Sequence, residues 1–362
     1  MHASRKLQSV QLLRFAAAAM VVTTHAIAFA RSQSTPVGWF AMFHLDHIGA
    51  MGVDLFFVIS GFIITRAASG ALVPEPCAFL EQRILRVVPI YFLMSLPFVD
   101  WSSLWQGRAA QQLFATYLFW PATAGGMTMP FLGVGWTLCF EMLFYVAMSF
   151  WLARPGRLQL GLLLGAYLAG CILRDLTGWP MFRFLGNPII VEFLAGCLLA
   201  QVLPTLIGRM RRNTGIGALG LFAVSALVLL SFGFDGAFNA HRTLDGSVAA
   251  ARAVLFGIPS LLLVLGALCF EHRARGHVVA ALAFLGDASY SIYLTHPLVF
   301  RFLGQLPLPS PWPVAGDLIV ILSVPLSLGA GALVYLCVER PLLQSLRARR
   351  KHLREKAPVS AV

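Results

Sequence analysis

Charged residues are scarce in this sequence. Asp, Glu, Lys and Arg make up 12% of its 362 residues, whereas hydrophobic residues make up 58% and the mean hydropathy is +0.78. Soluble domains average about 25% charged and about 45 to 50% apolar residues. The composition therefore excludes the two soluble domains that the length alone would allow, and it predicts an all-α polytopic membrane protein.

Cysteine motifs are also missing. The chain has no CxxC pair and no histidine at ligand spacing beside a cysteine, so we expect neither a disulfide framework nor a cysteine-based metal site. His44 and His47 stand three residues apart in an outer loop, but the sequence offers them no evident partner ligand. An ordinary polar loop is favoured there, and no metal or other bound cofactor is predicted.

Acidic residues are few, 15 against 27 Lys and Arg, which leaves a formal charge of +12. A charge of this size can indicate nucleic acid, but its distribution points to a membrane. Ten apolar segments of spanning length can be drawn, at 9–30, 50–68, 86–101, 136–153, 157–173, 187–205, 215–234, 251–271, 283–303 and 315–338. With the N-terminus inside, the basic residues on the outer side are Arg31, Arg108, Arg174, Arg183, Arg242, Arg252 and Arg301. All others lie inside, which is the positive-inside pattern, so we expect both termini in the cytoplasm and anionic membrane lipids, not nucleic acid, as the partner of this charge.

The N-terminal segment raises the question of a signal peptide. Ala28-Phe29-Ala30 fits a cleavage pattern after an apolar stretch, but that stretch is long for a signal peptide and the later loops keep their charge asymmetry. An uncleaved first span is therefore favoured. We predict one membrane domain over 1–341 and a flexible, basic cytoplasmic tail over 342–362.

The first span carries two ionisable residues, Arg14 and His25. Eleven residues bring them back to nearly the same helix face, about 16 Å apart along the axis. Ionisable groups at membrane depth cost up to about 2.5 to 3.5 kcal/mol each, so they usually face a bundle interior or a wet cavity. Either they form part of a functional site, or Arg14 is an interfacial anchor and His25 an interhelical hydrogen-bonding group.

Arg83 and Arg86 lie one helical turn apart at the inner end of the third span, shortly before Tyr91. Such a pair can be an anchor that reaches into the headgroup region, or it can bind a phosphate-rich ligand. In the second span, Asp54 is hard to explain by packing alone. Ser60 and Gly61 interrupt the bulky run that follows it, which favours close helix packing.

Glu141, in the fourth span, shares a face with Thr137 and Tyr145 and must either pair with another span or take up a proton. In the ninth span Ser289, Tyr293 and His296 share one face.

The predicted topology divides these groups between the two sides of the membrane. It places His25, Asp54, Glu141 and His296 in the outer half, and Arg14, Arg83 and Arg86 on the inner side. A cationic mouth on the inner side suits a phosphate-bearing donor. A cluster of histidines and carboxylates beyond it suits an acceptor hydroxyl, which a histidine can deprotonate. A transporter or flippase could use the same buried charges, although no internal repeat is visible. A scaffold for polysaccharide export would not need them.

These stretches together resemble the acyltransferase 3 family of bacterial integral membrane proteins. Arg14 and His25 match the R-x10-H signature of its first span, and the likeness covers nearly the whole chain in order. It is most similar to the branch that acetylates exopolysaccharides. The other matching stretches are GVDLFFVISGF (52–62), RILRVVPIY (83–91), GWTLCFEMLFY (135–145), FLGDASYSIYLTH (284–296) and the terminal ERP (339–341).

The resemblance implies about ten spans in the bacterial inner membrane and a cytoplasmic acyl-coenzyme A (acyl-CoA) donor. The acceptor would be a hydroxyl of an exopolysaccharide, another surface glycan or a lipid-linked precursor. It also implies that His25 and Arg14 are essential, and a homo-oligomer or a polysaccharide-synthesis complex is compatible with it. On this basis we assign catalytic or supporting roles to Asp54, Glu141 and His296, donor binding to Arg83, Arg86, Tyr91 and Ser60, and acceptor binding to Trp136, Tyr145, Ser289 and Tyr293.

Overall fold

The computed structural model describes residues 6–33, 37–68, 75–102, 104, 107–232, 239–306, 315–346 and 348. Its α-helices are α1 Gln8–Ser32, α2 Trp39–Met42, α3 Ile48–Ala68, α4 Pro76–Ser95, α5 Arg108–Tyr117, α6 Trp136–Phe150, α7 Gly156–Thr177, α8 Pro180–Leu185, α9 Ile190–Phe232, α10 Ala240–Leu244, α11 Ala249–Arg252, α12 Ile258–Cys269, α13 His277–Asp287, α14 Ser289–Leu303 and α15 Ala315–Val334. Short 3₁₀ turns cover Leu45–His47, Leu96–Phe98, Gly133–Gly135 and Glu271–Arg273, and π-helical turns cover Ala253–Gly257 and Tyr335–Glu339. Strands β1 (Ala122–Thr123) and β2 (Gly126–Met127) pair antiparallel.

The all-α polytopic architecture is confirmed. Within the described residues, eight helices are long and apolar enough to cross a membrane, or nine if a bent pair counts as one span. The eight are Gln8–Ser32, Leu45–Ala68, Gly133–Phe150, Gly156–Thr177, Pro180–Leu206, Arg211–Phe232, Ala249–Cys269 and Ala315–Leu346. The last helix reaches beyond the predicted domain end, and most of the predicted basic tail lies outside the described residues.

The 43 residues of helix α9 contain two separate spans, one that ends at Leu206 and one that begins at Arg211. Glu192, near its start, lies against Gly257, and Leu229, near its end, packs with Phe256. Midway along, the Arg211 Nε donates to the carbonyl oxygen of Cys269 at 2.5 Å. Both ends of α9 therefore lie near the π-helical turn Ala253–Gly257 that precedes α12, whereas its middle lies near Cys269 at the other end of α12. The two halves of α9 run in opposite directions, as expected for the predicted sixth and seventh spans.

Two predicted spans differ from the structure. The third corresponds to α4, which is 20 residues long and so about 30 Å, but carries charged residues and is not among the eight apolar helices. The ninth is broken at Ala288, where α13 and α14 meet at a bend of 64°. A count of ten therefore requires both the charged helix α4 and the bent pair.

Helix α1 lies at the centre of the bundle, packed against α3, α13, α14 and α15. Small residues such as Ala17, Ala18 and Ala26 are fully buried in these contacts. The Glu271 carboxylate accepts the backbone N–H groups of Gln8 and Ser9 at 2.9 and 2.8 Å. These donors have no partner within the helix, so Glu271 caps α1 and fixes its N-terminal end.

Helices α3 and α9 approach at two glycines. A Cβ atom on Gly61 would lie 2.1 Å from the carbonyl oxygen of Phe193, and one on Gly196 would lie 2.1 Å from that of Val58. Neither position has room for a side chain. The predicted role of Gly61 in close packing is therefore confirmed, and this contact sets the position of Ser60 beside it.

Candidate active site

A cavity of about 110 Å³ opens between α1, α3, α4, α6 and α14. One wall is apolar and includes Phe56, Phe57 and Ile63. The break between α13 and α14 brings the start of α14 to this cavity. Its predicted site residues are Arg14, Ser60, Arg83, Arg86, Glu141, Tyr145, Ser289 and Tyr293. Five helices thus bring together most of the candidates that the sequence identified.

Glu141 is the acidic residue among those that line this cavity in the described part of the chain. The Tyr145 hydroxyl donates a short hydrogen bond to its Oε1, and the Ser60 hydroxyl donates to the same atom at 3.5 Å. Arg14 and Arg83 line the same cavity. The predicted grouping placed Glu141 with the histidines. The structure places it among the arginines instead, because the cavity that they line reaches the part of α6 that carries Glu141.

Arg83 lines the cavity and is packed against two aromatic rings. Its guanidinium carbon lies 5.3 Å from the ring centre of Phe79 and 5.8 Å from that of Tyr145, and both rings contribute to holding the group in place. Its buried Nε has no hydrogen-bond partner within the described part of the chain. A buried N–H without a partner costs free energy that an anionic ligand would recover.

A wider mouth of about 430 Å³ adjoins the cavity and shares Arg14, Ile63 and Arg86 with it. Lys6 pairs with Asp287 there, and Ser291 donates to the buried Glu339 at 2.5 Å. The other lining residues are Gln11, Tyr335, Arg340, Leu343 and Gln344. The mouth has four cations against two carboxylates, and Arg14 and Arg86 lie where it meets the cavity. The sequence placed Glu339 only in the terminal ERP motif and did not assign it to this site.

His25 and His296 form a pair of rings with centres 4.9 Å apart. Each Nδ1 faces a backbone carbonyl one turn earlier, that of Val21 at 2.9 Å and that of Ile292 at 3.3 Å. Because a carbonyl only accepts, each neutral ring carries its proton on Nδ1 and leaves the Nε2 lone pair available as a base.

The two rings differ in access. The His25 side chain is exposed, whereas His296 is fully buried and its Nε2 has no hydrogen-bond partner among the described residues. The ring of Tyr293, which lines the cavity, lies 5.9 Å from that of His296. The ring of Tyr293 therefore lies between the histidine pair and the cavity.

The sequence profile of the acyltransferase domain family matches residues 7–336, nearly the whole chain. The chain belongs to the acyltransferase 3 family. It is 30% identical over 321 residues to the exopolysaccharide production protein ExoZ of Rhizobium meliloti (strain 1021), covering 85% of this chain and 93% of ExoZ. It is 22% identical over 383 residues to the acyltransferase MdmB of Streptomyces mycarofaciens, covering 95% and 94%. No solved structure matches it. The protein is thus a multi-pass membrane O-acyltransferase, as the sequence predicted.

In this acyltransferase, Asp54 is engaged elsewhere. It is fully buried, and both of its carboxylate oxygens accept from Arg252, at 2.7 Å from Nη2 and 3.1 Å from Nε. The buried carboxyl of Glu192 interacts with the same pair. Sequence reasoning missed Arg252, because the chain places it 198 residues from its partner and at the outer end of a span. As far as the described residues define the two cavities, Asp54 lies outside both.

Tyr91 and Trp136 also lie outside the lining of both cavities as the described residues define it. Tyr91 is fully buried against Phe119, and a Cβ atom on Gly135 would lie 2.3 Å from its hydroxyl oxygen. Trp136 is buried, with the Arg252 guanidinium 5.5 Å above its ring. Both side chains pack the core of the acyltransferase beside the site, so their predicted ligand contacts find no support in this arrangement.

Proposed function

We propose that this acyltransferase transfers an acyl group, chiefly acetyl, from acyl-CoA to a hydroxyl of an exopolysaccharide or its lipid-linked precursor at the bacterial inner membrane. One observation carries the proposal. An arginine-lined mouth and cavity lead from the side of the two chain ends towards an accessible histidine base. The similarity to ExoZ, a protein named for exopolysaccharide production, supports the glycan acceptor.

The acyl-CoA donor would enter with its thioester arm first and its phosphate groups last. Its phosphate groups would meet Arg86 and Arg14 at the junction and the guanidinium of Arg83 within, since a guanidinium group can donate two hydrogen bonds to the oxygens of one phosphate. Its slender thioester arm would then occupy the narrower cavity. No resident cofactor is required, because acyl-CoA is a substrate.

Arg14 would bind the phosphate groups of the donor and would not contact the thioester carbonyl that reacts. Eleven residues of α-helix separate it from His25 by about 16 Å along the axis. Hydrogen bonds from Tyr145 and Ser60 fix the position of the Glu141 carboxylate. From that position it would attract the neighbouring guanidinium groups and hold the arginines in place. Ser289 has a buried hydroxyl without a partner among the described residues and lines the cavity, which suits a contact with substrate.

The chemical step would take place at His25. Its Nε2 takes the proton of the acceptor hydroxyl while that oxygen attacks the thioester carbonyl. The carbon–sulfur bond then breaks, and the leaving thiolate of coenzyme A receives the proton from the imidazolium. The products are the O-acyl ester and free coenzyme A. A two-step route through an acyl group on His25 would give the same products, and mass spectrometry of a trapped adduct distinguishes the two routes.

The reaction itself can be tested with membranes that contain the protein, labelled acetyl-CoA and the host's glycan fraction. The proposal predicts label in the glycan that mild alkali releases, because O-acetyl esters are alkali-labile. Membranes without the protein serve as the control. Label found only on protein or on lipid that carries no glycan, or glycan that crosses the bilayer without gaining label, would contradict it, and the second result would favour a flippase.

Replacement of Arg86 by glutamine is expected to weaken acyl-CoA binding by about tenfold and to change kcat little, because a charge-assisted phosphate contact of about 1.5 kcal/mol is lost. KM for the donor and kcat are measured together. Arg154→Gln is the matched control, since Arg154 is exposed on the same predicted side and lies outside the lining described for both cavities. An unchanged donor KM in Arg86→Gln would contradict the donor route.

Replacement of His296 by glutamine is expected to lower kcat about tenfold or more without changing the donor KM. His296 positions the ring of His25 and does not line the cavity as described, so its loss affects the chemical step alone. The pH profile of kcat provides a second readout. A shift of its acidic limb would indicate that the two rings titrate as a pair, whereas equal losses in kcat and donor affinity would indicate a structural defect.

A further inference from the structure

Three potential metal ligands meet in the outer loop between α1 and α3, away from the cavity. One nitrogen each of His44 and His47 and one carboxylate oxygen of Asp46 lie within 4.8 Å of one another. The backbone of His44 is left-handed, with φ 48°, and the two imidazole ring centres are 5.4 Å apart. The sequence showed the two histidines but no third ligand, because Asp46 acquires this role only when the loop folds.

We infer that His44, Asp46 and His47 form a binding site for a divalent cation of the zinc class. Two imidazoles and one carboxylate are a ligand set that Zn²⁺ accepts, with a water molecule in the fourth position. Ligands 2.0 to 2.2 Å from a tetrahedral ion are about 3.3 to 3.6 Å from each other. The His47 Nε2 and Asp46 Oδ1 are 3.8 Å apart and all three ligand atoms lie within 4.8 Å of one another, so side-chain rotations that move them about 1 Å closer would bring them to tetrahedral spacing.

The two carboxylate oxygens of Asp46 differ in their contacts. Its Oδ2 accepts from Arg31 at 2.6 Å, whereas its buried Oδ1 has no hydrogen-bond partner among the described residues. The 3.8 Å from Oδ1 to the His47 Nε2 is too long for a hydrogen bond. Metal-binding carboxylates are commonly held by a second partner on the other oxygen, which is the position of Arg31.

The surroundings provide space and a low dielectric. A separate cavity of about 30 Å³ adjoins both histidines, and its remaining walls are the apolar side chains of Met51, Ala226, Leu229, Leu230 and Phe256. One ion or water molecule fits such a volume. Apolar walls strengthen the attraction between a cation and its ligands.

The site would fix the loop next to the proposed base. The Thr24 hydroxyl donates to the carbonyl oxygen of Asp46 at 2.9 Å and accepts from the backbone N–H of Gly49 at 2.8 Å. Thr24 directly precedes His25. A bound ion would therefore hold the outer loop against α1 one residue from the catalytic histidine, and it would act as a structural clamp.

The test uses purified, detergent-solubilised protein with a histidine-free affinity tag, stripped with EDTA and dialysed against Zn²⁺ or Co²⁺. We expect one tightly bound equivalent in the wild type and visible absorption bands from tetrahedral Co²⁺. His44→Asn and His47→Ala should each weaken binding at least tenfold. Asparagine tolerates the left-handed backbone at position 44, so that variant removes the ligand without new strain.

His241→Ala is the matched control. Its Nδ1 lies 3.7 Å from the Asp245 Oδ2, nearly the separation seen at the proposed site, but within the described residues no third ligand joins that pair. It should keep the bound equivalent. Zn²⁺ should also raise the thermal midpoint of the wild type and of His241→Ala but not of the two loop variants, whose midpoints in EDTA show that they fold. A wild type without bound metal, or loop variants that bind as the wild type does, would overturn the inference.

Discussion

Replacing His25 by alanine is expected to lower the rate of acyl transfer by about 10²- to 10⁴-fold, the range that a positioned general base contributes. The affinity for acyl-CoA should stay within about twofold, because the donor contacts proposed for Arg14, Arg83 and Arg86 lie at the inner cavity. Initial rates and equilibrium binding of a labelled donor, measured on the same preparation, separate these two effects.

His277→Ala is the matched control for this experiment, since His277 is an exposed histidine at the start of α13 and should tolerate the change. A scaffolding role would predict that His25→Ala keeps any assembly function and changes no rate. If His25→Ala retains the wild-type rate, or loses donor binding and rate in equal measure, His25 is not the base.

Removing one partner of the Asp54–Arg252 pair is expected to be the most destabilising single change outside the apolar core. Asp54→Asn removes the carboxylate that accepts from Arg252 and leaves the buried guanidinium beside the neighbouring Glu192 carboxyl, and breaking a buried pair in this way typically costs about 3 to 5 kcal/mol. Replacing both residues together, as Asp54→Leu with Arg252→Met, should recover most of that loss, because the uncompensated charge disappears. Thermal midpoints in detergent and the yield of folded protein measure the effect.

The double variant also separates the two roles of Asp54. A stable and active double variant would assign Asp54 to the structure alone, as its contacts with Arg252 suggest. A stable but inactive one would restore the catalytic role that the sequence suggested. The control is the exposed Asp175, which pairs with the half-buried Arg174, and Asp175→Asn should leave the thermal midpoint unchanged.

Much of the fold could be predicted because membrane spans have a strong local signal. Long apolar runs and the distribution of arginines located most of the spans, including the two within α9. The break at Ala288 was missed, since neither a Pro nor a Gly stands at that position. The inner end of α4 was also missed, because its charged first turns mask the helix in a hydropathy profile.

The site was predicted best where helix periodicity decides the outcome. Arg83 and Arg86 are one turn apart on one helix, and so are Ser289 and Tyr293, and all four line the cavity. Contacts between distant helices have no such local signal. The partner of Asp54, the position of Glu141 among arginines, and the third ligand beside His44 and His47 depend on how the helices and loops pack, so only the folded structure revealed them.

The central claim is that the donor enters from the cytoplasmic mouth and its acyl group leaves on a glycan. The most direct measurement compares inside-out with right-side-out membrane vesicles, both supplied with labelled acetyl-CoA, which does not cross the bilayer, and with the glycan acceptor on both sides. The account predicts alkali-labile glycan label in inside-out vesicles, lost in His25→Ala, and almost none in sealed right-side-out vesicles. Equal labelling in both orientations, or label that does not depend on His25, would contradict it.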